Sequence, residues 1–193
     1  MQRYDRSQVI RFLHALDFYL KEDLGVFVVG GLAAVLGYNA DIKTADMDVY
    51  ALTKGSDSDM KRAWHAAAKL TGINFMLGKT TVTDLPYDYE DRIRKPRGAR
   101  FERLEITVPD KYDLVLSKAV RCYPHDLEAI LSMHQHHPLA EKTLVMRFEK
   151  EMWKFANTDP KNYAMNMIAV IRMLFGEGRV EFYKNKWELA PPG

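Results

Sequence analysis

Two aspartates, Asp46 and Asp48, stand one residue apart inside the stretch A-D-M-D-V-Y-A-L. In an extended strand, residues two apart project from one face, so the pair would point together while Met47 and Val49 turn into a core. Adjacent carboxylates repel and stabilise nothing by themselves. A hard divalent cation is the natural compensation: Mg²⁺, or Mn²⁺ in its place, takes one or two carboxylates plus substrate phosphate oxygens. Upstream, Gly30-Gly31 follow the apolar run at 26–29 and precede L-A-A-V-L. Glycine lets the backbone turn sharply and approach a ligand closely. A helix starting there would offer free N–H groups and its positive dipole end to phosphate. The spacing therefore predicts a phosphate cradle at Gly30 and Gly31 and a metal anchor at Asp46 and Asp48. Lys43 and Thr44, just ahead of the acid pair, are placed to contact the same phosphates.

These side chains need elements to hold them. Residues 26–29 read as a short buried strand, and 32–36, closing at Gly37, as a short helix. Val9, Ile10, Leu13, Leu16 and Leu20 recur near helical spacing over 7–21, with Asp5 or Ser7 as cap. Residues 60–70 predict a helix ending at Gly72, 73–77 a strand and 79–83 another. Over 103–108, Leu104, Ile106 and Val108 alternate with Arg103, Glu105 and Thr107, a half-buried strand. Glu105 lies on its polar face and is the candidate third carboxylate, with Glu102 as the competitor. Asp110 or Asp113 caps the next helix, on which Lys118 and Arg121 share a face. Asp126, after Pro124, can cap a helix over 127–133. The tail predicts helices over 139–157 and 163–175 and a terminal strand at 180–183. Three methionines, Met165, Met167 and Met173, read as core filler. The pattern predicts an α/β (or α+β) fold, a small mixed β-sheet flanked by helices, with a C-terminal helical extension. The expected division is 1–135 for the sheet domain and 136–193 for the extension packed on it, unless the whole is one domain.

Composition excludes several chemistries. A chain of 193 residues, 47% apolar, supports a sizeable core, and a net charge of +2 specifies no polyanion partner. The single cysteine, Cys122, excludes an internal disulfide framework, fits a reducing compartment and lacks neighbours that would activate its thiol. No apolar run approaches the roughly 20 residues of a membrane span, and the first residues lack a signal-peptide core. The expectation is a cytoplasmic protein with no membrane partner. Six cations at 92, 94, 95, 97, 100 and 103 read as a solvated loop, with contact to triphosphate or RNA backbone as the alternative. His125, His134, His136 and His137 match no structural zinc spacing.

The Gly30-Gly31 turn followed by T-A-D-M-D resembles the nucleotidyltransferase superfamily that includes DNA polymerase beta, whose members carry Gly-Gly or Gly-Ser on a short helix before an Asp-x-Asp or Asp-x-Glu strand. The chain is most similar to the small bacterial AbiEii-type toxin-like branch. Residues 113–130 (D-L-V-L-S-K-A-V-R-C-Y-P-H-D-L-E-A-I) resemble that branch's helical segment, and 85–92 (L-P-Y-D-Y-E-D-R) its connecting loop. The resemblance implies a nucleotidyltransferase fold and Mg²⁺-dependent transfer of NMP from an NTP to an RNA end, such as that of tRNA, or to a protein. It implies catalysis by Asp46, Asp48, Glu105 and Lys118, with triphosphate contacts from Lys118 and Arg121 and with Asp126 orienting them. A toxin role with a cognate antitoxin follows from the same likeness. Ala129 stands where related proteins commonly carry a further acid. Two other classes stay open: a nucleotide-binding module of weakened catalysis, and an antitoxin or interaction subunit.

Overall fold

Strand β1 (Leu24–Val29) is buried at every position, as an uninterrupted apolar run between two covered faces must be. Around it, the computed structural model describes residues 2–79, 84–96, 98 and 100–189, Lys79 by its backbone alone. Two compact units emerge: residues 1–83 with 92–109, and residues 84–91 with 110–193. The chain thus divides ahead of Asp110, and the two helices that follow, placed with the sheet on sequence grounds, cluster with the later helices instead. Pro109 ends the last strand and the Asp110 carboxylate accepts the Tyr112 N–H, so a new helix starts where the sheet stops.

In the first unit, α1 (Arg6–Tyr19) opens with a capping box between Asp5 and Gln8. After β1, α2 (Gly30–Tyr38) follows without a loop; β2 (Asp46–Lys54), α3 (Asp57–Thr71), β3 (Met76–Lys79) and β4 (Leu104–Thr107) complete the unit. The sheet order is β3-β2-β1-β4, with β1 antiparallel to β2, parallel to β4, and β2 parallel to β3. The sheet is therefore small and mixed, flanked by helices, as expected. Phe12 of α1 meets Trp64 of α3 at 4.6 Å and Phe75 at 5.6 Å between ring centroids, and Trp64 Nε1 donates to the Phe75 carbonyl. Buried Asp17 of α1 accepts the backbone N–H groups of Glu102, Arg103 and Leu104 at 2.7–2.9 Å, which pins the start of β4. Gly37 does not stop α2. A Cβ there would lie 2.9 Å from Val108 Cγ2, so this glycine serves close packing, and Asn39 (φ 52°) takes the left-handed cap. The expected strand at 73–77 begins three residues later as β3. Of the short one expected over 79–83, residue 79 closes β3 and residues 80–83 lie outside the described residues.

The second unit is helical: α4 (Lys111–Arg121), α5 (Pro124–His136), α6 (Glu141–Arg147), α7 (Pro160–Phe175) and α8 (Val180–Lys186). The helix expected over 139–157 is shorter: α6 runs into a π turn at Phe148–Met152. Phe148 packs there against Trp153, Tyr163 and Trp187. The terminal strand expected at 180–183 is instead α8. Val180 and Tyr183 are buried and Phe182 is exposed, a spacing of three followed by buried Trp187, which is helical rather than alternating. Met167 is core filler, whereas Met165 is exposed and Met173 half-buried. No helix among the described residues is long and apolar enough to cross a membrane.

Candidate active site

The acid pair begins β2. Asp46 and Asp48 are both half-buried while Met47 and Val49 are buried, so the two carboxylates share one face as the period of a strand demands. Asp48 is paired across the sheet with Val29, the last residue of β1, and with Gly78 of β3. This register carries the carboxylate to the point where β1 turns into α2. Gly30 sits there at φ +70°, a conformation costly for any residue with a Cβ. A Cβ on Gly30 would stand 2.6 Å from Asp48 Oδ2, and one on Gly31 would stand 2.8 Å from Thr44 Oγ1. The two glycines thus admit the Asp48 carboxylate and the Thr44 hydroxyl against the backbone at the start of α2. No side chain caps that helix, since its flanking residue is Val29.

Thr44 is buried, fixed by backbone bonds to Tyr4 in both directions (2.7 and 3.0 Å). Its Oγ1 lies 3.2 Å from the Asp46 carbonyl and 3.4 Å from Asp46 Oδ1, so the hydroxyl that sequence reasoning aimed at phosphate faces Asp46. Lys43 beside it is exposed, and its charge reaches Asp5.

Glu105 requires a correction. On β4 it pairs with Gly25 at the opposite end of β1 from Val29. Paired residues share a sheet face, so Glu105 does share a face with Asp48, but four residues of strand, about 13 Å, separate their positions. Glu105 is exposed and its carboxylate lies 2.6 Å from Lys95 Nζ. It is an ion-pairing residue at the far end of the sheet and stands outside any metal set built on Asp46 and Asp48. The competitor, Glu102, lies further still from that end, ahead of β4. Alternation predicted the face; only register, invisible in sequence, gives the position.

The basic run is largely absorbed by its surroundings. Arg94 exchanges backbone bonds with Val108, Lys95 pairs with Glu105, and the Arg103 guanidinium donates to the Leu20 carbonyl; Arg97 lies outside the described residues. Lys54, Lys95, Arg100 and Arg103 line a cleft of about 400 Å³, but Asp23, Glu102 and Glu105 line it too.

In the second unit, Lys118 of α4 is only 4% exposed and its Nζ lies 3.3 Å from Oδ1 of Asp126, which is fully buried. Arg121 reaches the same oxygen at 3.2 Å, while Oδ2 has no hydrogen-bond partner among the described residues. Asp126 falls in the first turn of α5, whose cap is Tyr123, so it is not an N-cap. Burial, and then the Asp126 charge, pushes the Cys122 thiol up, the opposite of nucleophile activation. His134 Nδ1 accepts the Leu139 N–H at 3.2 Å, and burial followed by the Lys111 charge pushes its pKa down. No group of three or more His, Cys, Asp or Glu suited to a metal occurs among the described residues.

Sequence reasoning missed Gly78. A Cβ on it would lie 2.7 Å from Asp48 Oδ1, so the carboxylate is bracketed by glycines on both sides. A glycine inside a strand is itself the available signal, since it marks close approach of another group.

No curated protein and no solved structure matches the chain. Residues 8–170 match the model of a family described as nucleotidyltransferase of unknown function (DUF6036), and the chain belongs to that nucleotidyltransferase family.

Proposed function

We propose that the protein is a Mg²⁺-dependent nucleotidyltransferase that moves NMP from an NTP to a hydroxyl of an RNA or protein acceptor, the new bond to the α-phosphorus replacing the α–β phosphoanhydride, with loss of the hydroxyl proton and release of pyrophosphate. The observation that carries the reading is an acid pair on one face of β2 whose second member, Asp48, lies against the glycine turn at the start of α2, its Oδ2 2.6 Å from where a Cβ on Gly30 would stand. Two hard carboxylates suit Mg²⁺ or Mn²⁺, and the glycine-lined cradle leaves phosphate oxygens and water to complete the shell. Bound there, the cation would offset charge developing on the α-phosphate and orient the attacking hydroxyl. The backbone N–H groups at Gly30 and Gly31 hold phosphate oxygens through the helix start. Thr44 keeps Asp46 in place, and Lys43 adds positive charge at the entrance. In the helical unit, Lys118 and Arg121, which share the Asp126 carboxylate, are cations of the kind that hold phosphate.

The acceptor in this reading is a tRNA end or a protein side chain. The likeness of residues 113–130 to the AbiEii-type branch supports a toxin that a cognate antitoxin restrains. Incubation with α-phosphate-labelled NTPs, Mg²⁺, total RNA and cell protein tests transfer. Label on one of the two acceptors, absent with Asp48→Asn, is expected; label on neither contradicts the reading. One observation favours a second reading: with Glu105 at the far end of the sheet, no third acid joins the pair among the described residues. A module that binds Mg²⁺–NTP without transferring it would give calorimetric binding and no label.

A further inference from the structure

Asp48 is held differently from Asp46. Its Oδ2 lies beside the α-carbon of Gly30 and its Oδ1 beside that of Gly78, which is its cross-strand partner on β3. The contact at Gly78 is selective: a Cβ there would meet Asp48 Oδ1 at 2.7 Å, while the next nearest atoms, Met47 O and Asp48 Cα, stand at 3.7 and 3.8 Å. An added methyl would therefore collide with one carboxylate oxygen and leave the backbone untouched. At this position glycine has a cost, since a strand interior without a side chain is less stable than one with alanine. Gly78 has no positive φ that would explain it on conformational grounds.

We propose that Gly78 is a positioning residue for the metal-binding carboxylate, its missing Cβ holding open the orientation in which Asp48 faces the Gly30 turn. This rests on the reading of Asp46 and Asp48 as cation ligands and extends that site to β3, a strand no motif had included. Gly78→Ala turns the Asp48 side chain while preserving the sheet. Groups that orient a ligand from outside commonly change metal affinity by about ten- to a hundredfold.

Mn²⁺ titration, followed by water-proton relaxation, of the wild type, Gly78→Ala, Asp48→Ala and the double variant tests the proposal, with thermal unfolding in parallel. The expected result is a ten- to hundredfold loss of Mn²⁺ affinity in Gly78→Ala, unfolding temperature equal to or above wild type, and no further loss when Gly78→Ala is added to Asp48→Ala. Wild-type affinity in Gly78→Ala overturns the proposal, as does an equal loss in the Asp48→Ala background. The Asp48 carboxyl ¹³C resonance separates the two readings. Where the wild type takes up no Mn²⁺, the metal reading fails; a carboxyl shift on Gly78→Ala then still supports positioning, and an unmoved resonance overturns it.

Discussion

At the scale of residues, the acid pair and the glycine turn were legible before any coordinates, because each follows from local rules. Strand periodicity puts Asp46 and Asp48 on one face, and a paired glycine before a helix permits the close approach seen at Asp48 and Thr44. Glu105 was misplaced because alternation gives a face without a register, and Gly78 was overlooked because its meaning lies in the carboxylate across the strand. The Thr44 hydroxyl lies against the Gly31 backbone and also reaches Asp46, a double placement that only tertiary structure provides. The two carboxylates should separate function from stability. Asp46→Asn and Asp48→Asn are each expected to reduce Mg²⁺-dependent transfer at least about a hundredfold, as loss of several kcal/mol of charge stabilisation implies. Each should leave the urea midpoint unchanged or raised, since neighbouring like charges on one strand face repel. A steady-state rate with unchanged kcat/KM for either variant would count against their role.

At the scale of elements, helix caps and apolar spacing gave most of the helices, while the ends and the tail depended on packing. Residues 180–183 show why: a short apolar run fits either period, and burial of Val180, Tyr183 and Trp187 selects the helix. Gly37, a plausible stop signal, is used for contact with Val108. Two side chains hold elements together in ways sequence does not announce. Asp17→Ala would strand the N–H donors of Glu102, Arg103 and Leu104 and should lower unfolding free energy by about 3 kcal/mol, with Asp17→Asn losing less. Denaturant unfolding gives both values. His134 supplies a pH dependence. Its folded-state pKa lies below the ordinary 6.5, so its contribution is complete above pH 6.5 and is lost as pH falls through the depressed value. The difference in urea midpoint between wild type and His134→Gln should therefore shrink from pH 7 to pH 5. A difference constant over that range would show that protonation of His134 is not disfavoured by folding.

At the scale of the whole molecule, the sheet unit and the helical unit each carry buried apolar side chains and buried charges. In the helical unit Arg147 donates to Asp110 at 2.9 Å and to fully buried Asp113 at 2.8 Å. Breaking a buried ion cluster by removing one member is strongly destabilising, so Arg147→Met should cost about 3–5 kcal/mol, and adding Asp113→Leu should recover part of it. Chemical denaturation of the single and double variants reads this directly. None of it was foreseeable from spacing, because Arg147 is 34 residues from Asp113 in sequence. The family assignment covers most of the chain, yet the proposed chemistry rests on one corner of the sheet unit. The most direct measurement is calorimetric titration of ATP, CTP, GTP and UTP into the wild type and Asp48→Asn, with and without Mg²⁺. The account predicts binding of at least one nucleotide that requires Mg²⁺ and disappears with Asp48→Asn; nucleotide binding indifferent to both, or absent for all four, would contradict it.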